Sequence, residues 1–385
     1  MKQHYDVIVI GLGSMGSAAA YHLAKRGQRV LGLERFGSPH DQGSHHGGSR
    51  IIRQAYFEDP AYVPLLLRAY ELWEEIEKES GTNILNITGG LMMGSENSLT
   101  VKGSIDSAKA WNLSYDILDA KEIHRKFPIF TPPEGTIALY EEKAGFVRPE
   151  NSVLAHLLQA EKHGADLRFF EPVIRWEAHP SGEGVTVVTA DGEYEAGRLV
   201  VSPGAWAPNV LEDLGVNLLI ERQVMMWFAP TDGIEPFRVG NMPIYIWEAE
   251  DGVQFYGFPS FGLGGEGAKI AFFRMGQPCT ADTIDRNVYD SEIDKMREYI
   301  GSRIPQLNGK LLQARTCLYS NTPDEHFLIS LHPRHKQVAI GAGFSGHGFK
   351  FASVVGEILA DLATEGTSRL PIELFSPNRF GKVQL

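Results

Sequence analysis

Cysteine is nearly absent from this sequence: Cys279 and Cys317 are the two in 385 residues. So few thiols exclude a disulfide framework and fit a reducing compartment. Long apolar runs are missing too, since nothing approaches the roughly 18 residues of a membrane span. The opening, MKQHYDVIVIGLGSMG, has a short apolar run interrupted by glycines and no cleavage site, so it does not read as a signal peptide. A soluble, cytoplasmic protein is expected. Positive charge is in deficit, with Lys+Arg at 36 against Asp+Glu at 48 and a formal net charge of −12. That balance disfavours nucleic acid or an anionic membrane surface as the main partner. It leaves room for a small anionic ligand held by a local cluster of arginines. There is no internal repeat and no low-complexity tract.

What is present is an ordinary globular composition, 43% hydrophobic and 22% charged. The length predicts one to three domains. Glycine is abundant, at 41 residues, which points to tight turns and close backbone approaches to a ligand. The run from Tyr5 to Ile10 is apolar without alternation, as in a strand buried on both faces of a parallel sheet. Gly11-Leu12-Gly13-Ser14-Met15-Gly16 follows, then a helix predicted over 17–26, then a second buried strand over 29–34 ending in Glu34. This β–loop–α–β order is the context a dinucleotide-binding Gly-x-Gly-x-x-Gly requires. The glycines let the backbone approach a pyrophosphate, the helix start offers free N–H groups, and Glu34 accepts from ribose hydroxyls. The motif alone does not separate a nicotinamide cofactor from FAD. The long interruptions and the C-terminal return to the sheet favour FAD.

Further along, Asp59-Pro60 predicts a helix start, with apolar residues from Tyr62 to Ile76 at helical spacing and Gly81 past the end. After about residue 85, short apolar runs alternate with turn residues and predict an antiparallel layer. A helix is expected over 148–164. A hairpin with an Asp191-Gly192 turn and a separate buried strand at 199–201 follow. Another helix is predicted near 290–303, a final core strand over 337–341, and a C-terminal helix carrying Phe351 to Leu362. Ser202-Pro203-Gly204-Ala205-Trp206 reads either as a loop bordering the dinucleotide or as a plain strand-to-helix turn.

The segment GAGFSGHGFK, Gly341 to Lys350, holds four glycines between strand and helix. Such a helix start can face the electron-rich edge of a flavin pyrimidine, and His347 and Lys350 are expected to add positive charge there. His45 and His46 lack metal-ligand spacing, and no metal is expected. Arg50 and Arg53 can bind a carboxylate by paired hydrogen bonds, or make ordinary salt bridges. By composition alone Cys317 and Cys279 are inert thiols.

Six segments taken together resemble one family: VIGLGSMGSAAAYHLAKRG, GSHHGGSRIIRQAY, YVPLLLRAYELW, YGFPSFG, CLYSNTPDEHF and GAGFSGHGFKFASVVGEILADL. They are similar to the monomeric sarcosine oxidase and N-methyltryptophan oxidase family, over nearly the whole chain. The resemblance implies an α/β fold, a Rossmann-like FAD-binding domain plus a substrate domain with a large mixed, mainly antiparallel sheet. The corresponding division is 1–85, 146–217 and 322–385 for the first and 86–145 and 218–321 for the second. It implies FAD attached covalently through its 8-methyl group to Cys317, against the inert reading above. FAD contacts are then expected from Gly11, Gly13, Ser14, Met15, Gly16, Glu34 and Arg35, from Ser44, His45, Ser49 and Arg50, and from Gly204, Phe344, Gly346, His347, Gly348 and Lys350.

The implied reaction oxidises the N-methyl group of a secondary amino acid and yields formaldehyde and hydrogen peroxide, in a monomer with a small amine and oxygen as its partners. Arg53 and Lys350 would bind the substrate carboxylate, Lys269 would activate oxygen with Arg50 nearby, and Tyr256 and Tyr319 would line the pocket. His347 would border flavin and substrate, and the Gly346 carbonyl would receive the amine. The family histidine four residues after that lysine is Phe273 here, which cannot hydrogen-bond and leaves the choice of N-substituted amino acid open. Gly48 and Ser49 are milder departures, and the loop between Tyr256 and Lys269 reads as slightly long. Competing readings are an oxidase of fructosyl amino acids, an oxidase of cyclic imino acids such as proline or pipecolate, and a flavin-bearing sensor with little turnover.

Overall fold

Successive side chains on a strand point to opposite faces, and the opening strand, His4–Ile10, uses both. Val7 and Val9 enter one core, while Ile8 and Ile10 enter another. This strand is the middle of an eight-stranded sheet in a computed structural model that describes residues 4–262 and 267–381. Its parallel part runs Val338–Ala342, Glu193–Val201, His4–Ile10, Val30–Leu33 and Asp166–Arg168. Leu328–Leu331 joins one edge antiparallel, and the Val173–Ala178 and Val185–Thr189 hairpin extends the other half of Glu193–Val201.

Helices Ser14–Lys25, Val63–Ser80, Pro149–Lys162 and Ala352–Glu365 pack into the core that takes Val7 and Val9. The alanines of the first helix make this possible: a Cβ on Gly356 would stand 2.4 Å from that of Ala18. Val63–Ser80 enters through a 3₁₀ turn over Pro60–Tyr62, where the Asp59 carboxylate accepts from the Ala61 N–H. It stops at Gly81, which takes a left-handed φ of 69°.

The second sheet has nine strands. All its pairings are antiparallel except that of Gly90–Gly94 with Ile244–Glu248. Its longest ladder joins Leu219–Phe228 to Leu311–Asn321, with Gln223 opposite Cys317 and Glu221 opposite Tyr319. A three-stranded sheet of Arg50–Ile52, Gly145–Val147 and Leu85–Ile87 completes the strands.

Three local expectations change. The first helix begins at Ser14, not Ser17. The two short strands expected at 193–196 and 199–201 are one strand, Glu193–Val201, whose free edge is shared between the hairpin and Val338–Ala342. Leu85–Ile87 and Gly90–Gly94 enter different sheets, divided by Gly89 at φ 71°. Part of the Tyr256–Lys269 loop, residues 263–266, lies outside the described residues. Among those described, no helix is long and apolar enough to cross a membrane.

Candidate active site

A cavity of about 1000 Å³ opens at the carboxyl ends of the parallel strands, the place where open α/β sheets bind ligands. Gly11 turns with φ 82°, and a Cβ there would meet the Ser202 carbonyl oxygen at 2.6 Å. Gly16 lies beneath the loop, where a Cβ would overlap the Gly11 carbonyl oxygen at 1.8 Å. Gly13, Ser14 and Met15 line the cavity. The helix that starts there has no side-chain cap and no acid in its first turn, so its N–H groups and positive dipole end are left for an anion. Glu34, on the wall, is held by the N–H groups of Leu12 at 2.8 Å and Phe36 at 3.0 Å. Arg35, Ser44 and His45 line the same space, as do Gly204, Phe344 and Gly348. All five residues of the 202–206 loop border it, which favours the ligand-bordering reading.

A second cavity, about 60 Å³, adjoins the first. Arg50, Tyr319, Gly346 and Phe349 line both. Cys317, Tyr256, Phe273, Arg53, His347 and Lys350 line the second alone. Cys317 is 2% exposed. Burial pushes its thiol up, against the opposing pull of Arg50 and Lys269. Arg50 donates to the carbonyls of Ser49 at 2.8 Å and Ser44 at 2.6 Å. Arg53 is fully enclosed, donating to Glu58 at 2.6 Å and to the Ala55 carbonyl at 2.6 Å, while its Nε has no partner. It makes a buried ion pair rather than a surface one. Burial raises the Glu58 carboxyl, but Arg53 and the neighbouring cations outweigh it and hold the group at about 2.

Lys350 donates to the His347 carbonyl at 2.9 Å. Burial, then Arg53, lowers its ammonium to about 7. His347 corrects an expectation: it adds no positive charge, because burial drives its imidazole down to about 3. Its Nε2 lies 3.0 Å from the Glu325 carbonyl and its Nδ1 2.5 Å from the Tyr56 hydroxyl. A carbonyl only accepts, so the ring proton sits on Nε2 and Nδ1 accepts a hydrogen bond from the Tyr56 hydroxyl.

Lys269 lines neither cavity. Its Nζ donates to the carbonyls of Gly47 at 3.0 Å and Ser49 at 2.9 Å and lies 3.4 Å from Ser49 Oγ. Burial, then Arg50, pushes its ammonium well below the ordinary lysine value. The Gly47 and Gly48 N–H groups bind Glu150 at 2.7 and 3.1 Å, fixing that loop. Tyr56, Phe57, Glu58 and Ile246 are site residues that sequence reasoning missed. Only Glu58, an acid beside Asp59-Pro60, carried any visible signal. Cys279 lies outside both cavities. Asp213, His332 and His335 bring ligand-type atoms together, but Arg334 already pairs with Asp213 at 2.5 Å.

An uncapped helix start, an acid at the end of the second strand and a cavity continuous with a cation-lined pocket suit a flavin dinucleotide. Residues 6–362 match the FAD dependent oxidoreductase family, DAO, and the chain belongs to that family. It is 59% identical over 380 residues to a monomeric sarcosine oxidase of Streptomyces avermitilis, spanning 98% of both chains. It is 36% identical over 379 residues to an N-methyl-L-tryptophan oxidase of Citrobacter koseri, spanning 98% of this chain and 99% of that one. Among solved structures, an amino acid oxidase of nikkomycin biosynthesis superposes with TM-score 0.85 at 24% identity, covering 97% of this chain and 98% of that chain. An L-proline dehydrogenase of P. horikoshii superposes with TM-score 0.83 at 26% identity, covering 99% and 98%.

Proposed function

We propose that the protein oxidises small N-methyl amino acids of the sarcosine type with FAD and oxygen. The observation that carries this reading is the second cavity: it meets the dinucleotide cavity at Arg50, Tyr319 and Gly346 and presents Arg53 and Lys350 beyond. Its size supports a small substrate. At ~10–15 Å³ per water on this measure, 60 Å³ is enough for roughly the six non-hydrogen atoms of sarcosine.

Bound FAD supplies a two-electron acceptor that oxygen re-oxidises. Gly13, Ser14 and Met15 would hold its pyrophosphate and Glu34 its ribose, and Cys317 would be the covalent tether to its 8-methyl group. Arg53 and Lys350 bind the substrate carboxylate by charge-assisted hydrogen bonds. The Gly346 carbonyl receives the amine N–H, while Tyr256, Tyr319 and Phe273 exclude water. His347, neutral with its proton on Nε2, presents a fixed wall. Lys269 and Arg50 supply positive charge where oxygen gains electrons. In sum, the N-methyl carbon loses two electrons and an imine forms, water adds and expels formaldehyde, and oxygen leaves as hydrogen peroxide. The segments of the first sheet would form the FAD-binding unit and those of the second the substrate unit.

The test is anaerobic mixing of flavin-loaded protein with sarcosine, N-methyltryptophan, proline and a fructosyl amino acid. Bleaching of the flavin by sarcosine first and fastest supports the reading. Bleaching by none of them favours a sensor.

A further inference from the structure

Of the five residues other than glycine with positive φ among those described, Arg274 at 57° and Glu325 at 64° face each other. Side-chain-bearing residues seldom adopt this conformation, and it gathers where surrounding contacts enforce it. The two side chains are also joined, Arg274 Nη1 pairing with Glu325 Oε2. Each residue also touches the second cavity through a neighbour. The Arg274 guanidinium lies 4.5 Å from the ring centroid of Phe273, whose ring forms the apolar wall 6.2 Å from that of Tyr319. The Glu325 backbone carbonyl accepts the Nε2 proton of His347 at 3.0 Å. Arg274 Nε and Nη2 are buried without hydrogen-bond partners, so the Glu325 bond and the stack on Phe273 are what fix the guanidinium.

We infer that Arg274 is a positioning residue that braces two walls of the substrate cavity at once, Phe273 directly and His347 through Glu325. This rests on the second cavity being the substrate site. Phe273 then governs which N-substituted amino acid fits, and Arg274 governs where Phe273 stands. Glu325 is half exposed, so the brace loosens in salt.

The test uses the flavin-loaded holoenzyme and its variants Arg274→Ala, Arg274→Lys and Glu325→Gln. The first readout is the imidazole ¹⁵N spectrum, with His347→Gln assigning the signal. In wild type, His347 should show one pyrrole-type Nε2 and one pyridine-type Nδ1. In Arg274→Ala and Glu325→Gln both signals should move toward the average of the two tautomers, and Arg274→Lys should restore them. The second readout is kcat and KM for sarcosine and N-methylleucine. KM for sarcosine should rise about three- to fivefold, the scale of a partly exposed ion pair, with kcat less affected. The preference for sarcosine over N-methylleucine should shrink by a similar factor. Folded variants with wild-type imidazole signals and an unchanged preference would overturn the inference. If wild type oxidises neither amine, the proposed function fails instead, and the imidazole spectra still decide the brace.

Discussion

The ammonium of Lys269 is held 2.9 Å from the Ser49 carbonyl oxygen, which ties the second sheet to the loop that leads into Arg50. The lysine sits on strand Ala268–Phe272, opposite Trp227 and Phe258. The carbonyls it binds belong to a glycine-rich loop that is otherwise secured by Glu150.

Lys269→Met should therefore do two separable things. Leaving buried carbonyls without this donor should cost about 1–3 kcal/mol in denaturant unfolding. Removing the cation should slow reaction of the reduced protein with oxygen by orders of magnitude, with anaerobic reduction by substrate largely intact. Stopped-flow mixing with oxygen measures the second effect. An unchanged re-oxidation rate would make the lysine purely structural.

The Arg53–Glu58 pair gives a stability prediction. Glu58 is held at about 2, below the ordinary value of 4.5. A depressed carboxylate contributes stability that is complete above the unfolded value and fades as pH falls toward about 2. Arg53→Ala takes away the buried carboxylate's hydrogen-bonded ion-pair partner, so it should cost about 3–5 kcal/mol near neutral pH, with the difference from wild type narrowing in acid. Urea midpoints over that range check it, and a pH-independent difference would contradict it.

Much of this was readable in advance where periodicity or turn chemistry decides. The opening strand, its glycine loop and Glu34 follow from an apolar run meeting a fixed spacing, and Gly81 from the αL stop of a helix. The Arg53–Glu58 pair was not readable, because it depends on how a loop folds back on itself. Nor was the neutral state of His347: a histidine among glycines reads as a cation until burial and two ring hydrogen bonds are known. The continuity of Glu193–Val201 was hidden by Gly197, which looks like a break but sits inside the ladder. Phe273 was visible only as a departure from the resembling family, and its partner Arg274 only in three dimensions.

Lys350 predicts a pH dependence of binding. Its ammonium is lowered to about 7, so above that pH the free protein has lost the proton that a carboxylate ligand needs. Affinity for an unreactive carboxylate such as methylthioacetate should fall as pH rises past about 7, and binding there should take up a proton. Flavin difference spectra and calorimetry in buffers of different ionisation enthalpy check both. Lys350→Met should flatten the profile and weaken binding roughly ten- to a hundredfold, the scale of a charged hydrogen bond.

Cys317 is buried in the second cavity, on the ladder beside Gln223. Acid-precipitated wild type should stay yellow and carry the added mass of FAD, while Cys317→Ala should release its flavin on denaturation. A colourless pellet from loaded wild type would remove the tether from the account.

The central claim is tested most directly by the products formed from sarcosine in air. The account predicts formaldehyde and hydrogen peroxide released in equal amounts by flavin-loaded protein, with glycine as the remaining product. Formation of neither, in protein whose flavin can be reduced by dithionite and re-oxidised by air, would contradict it.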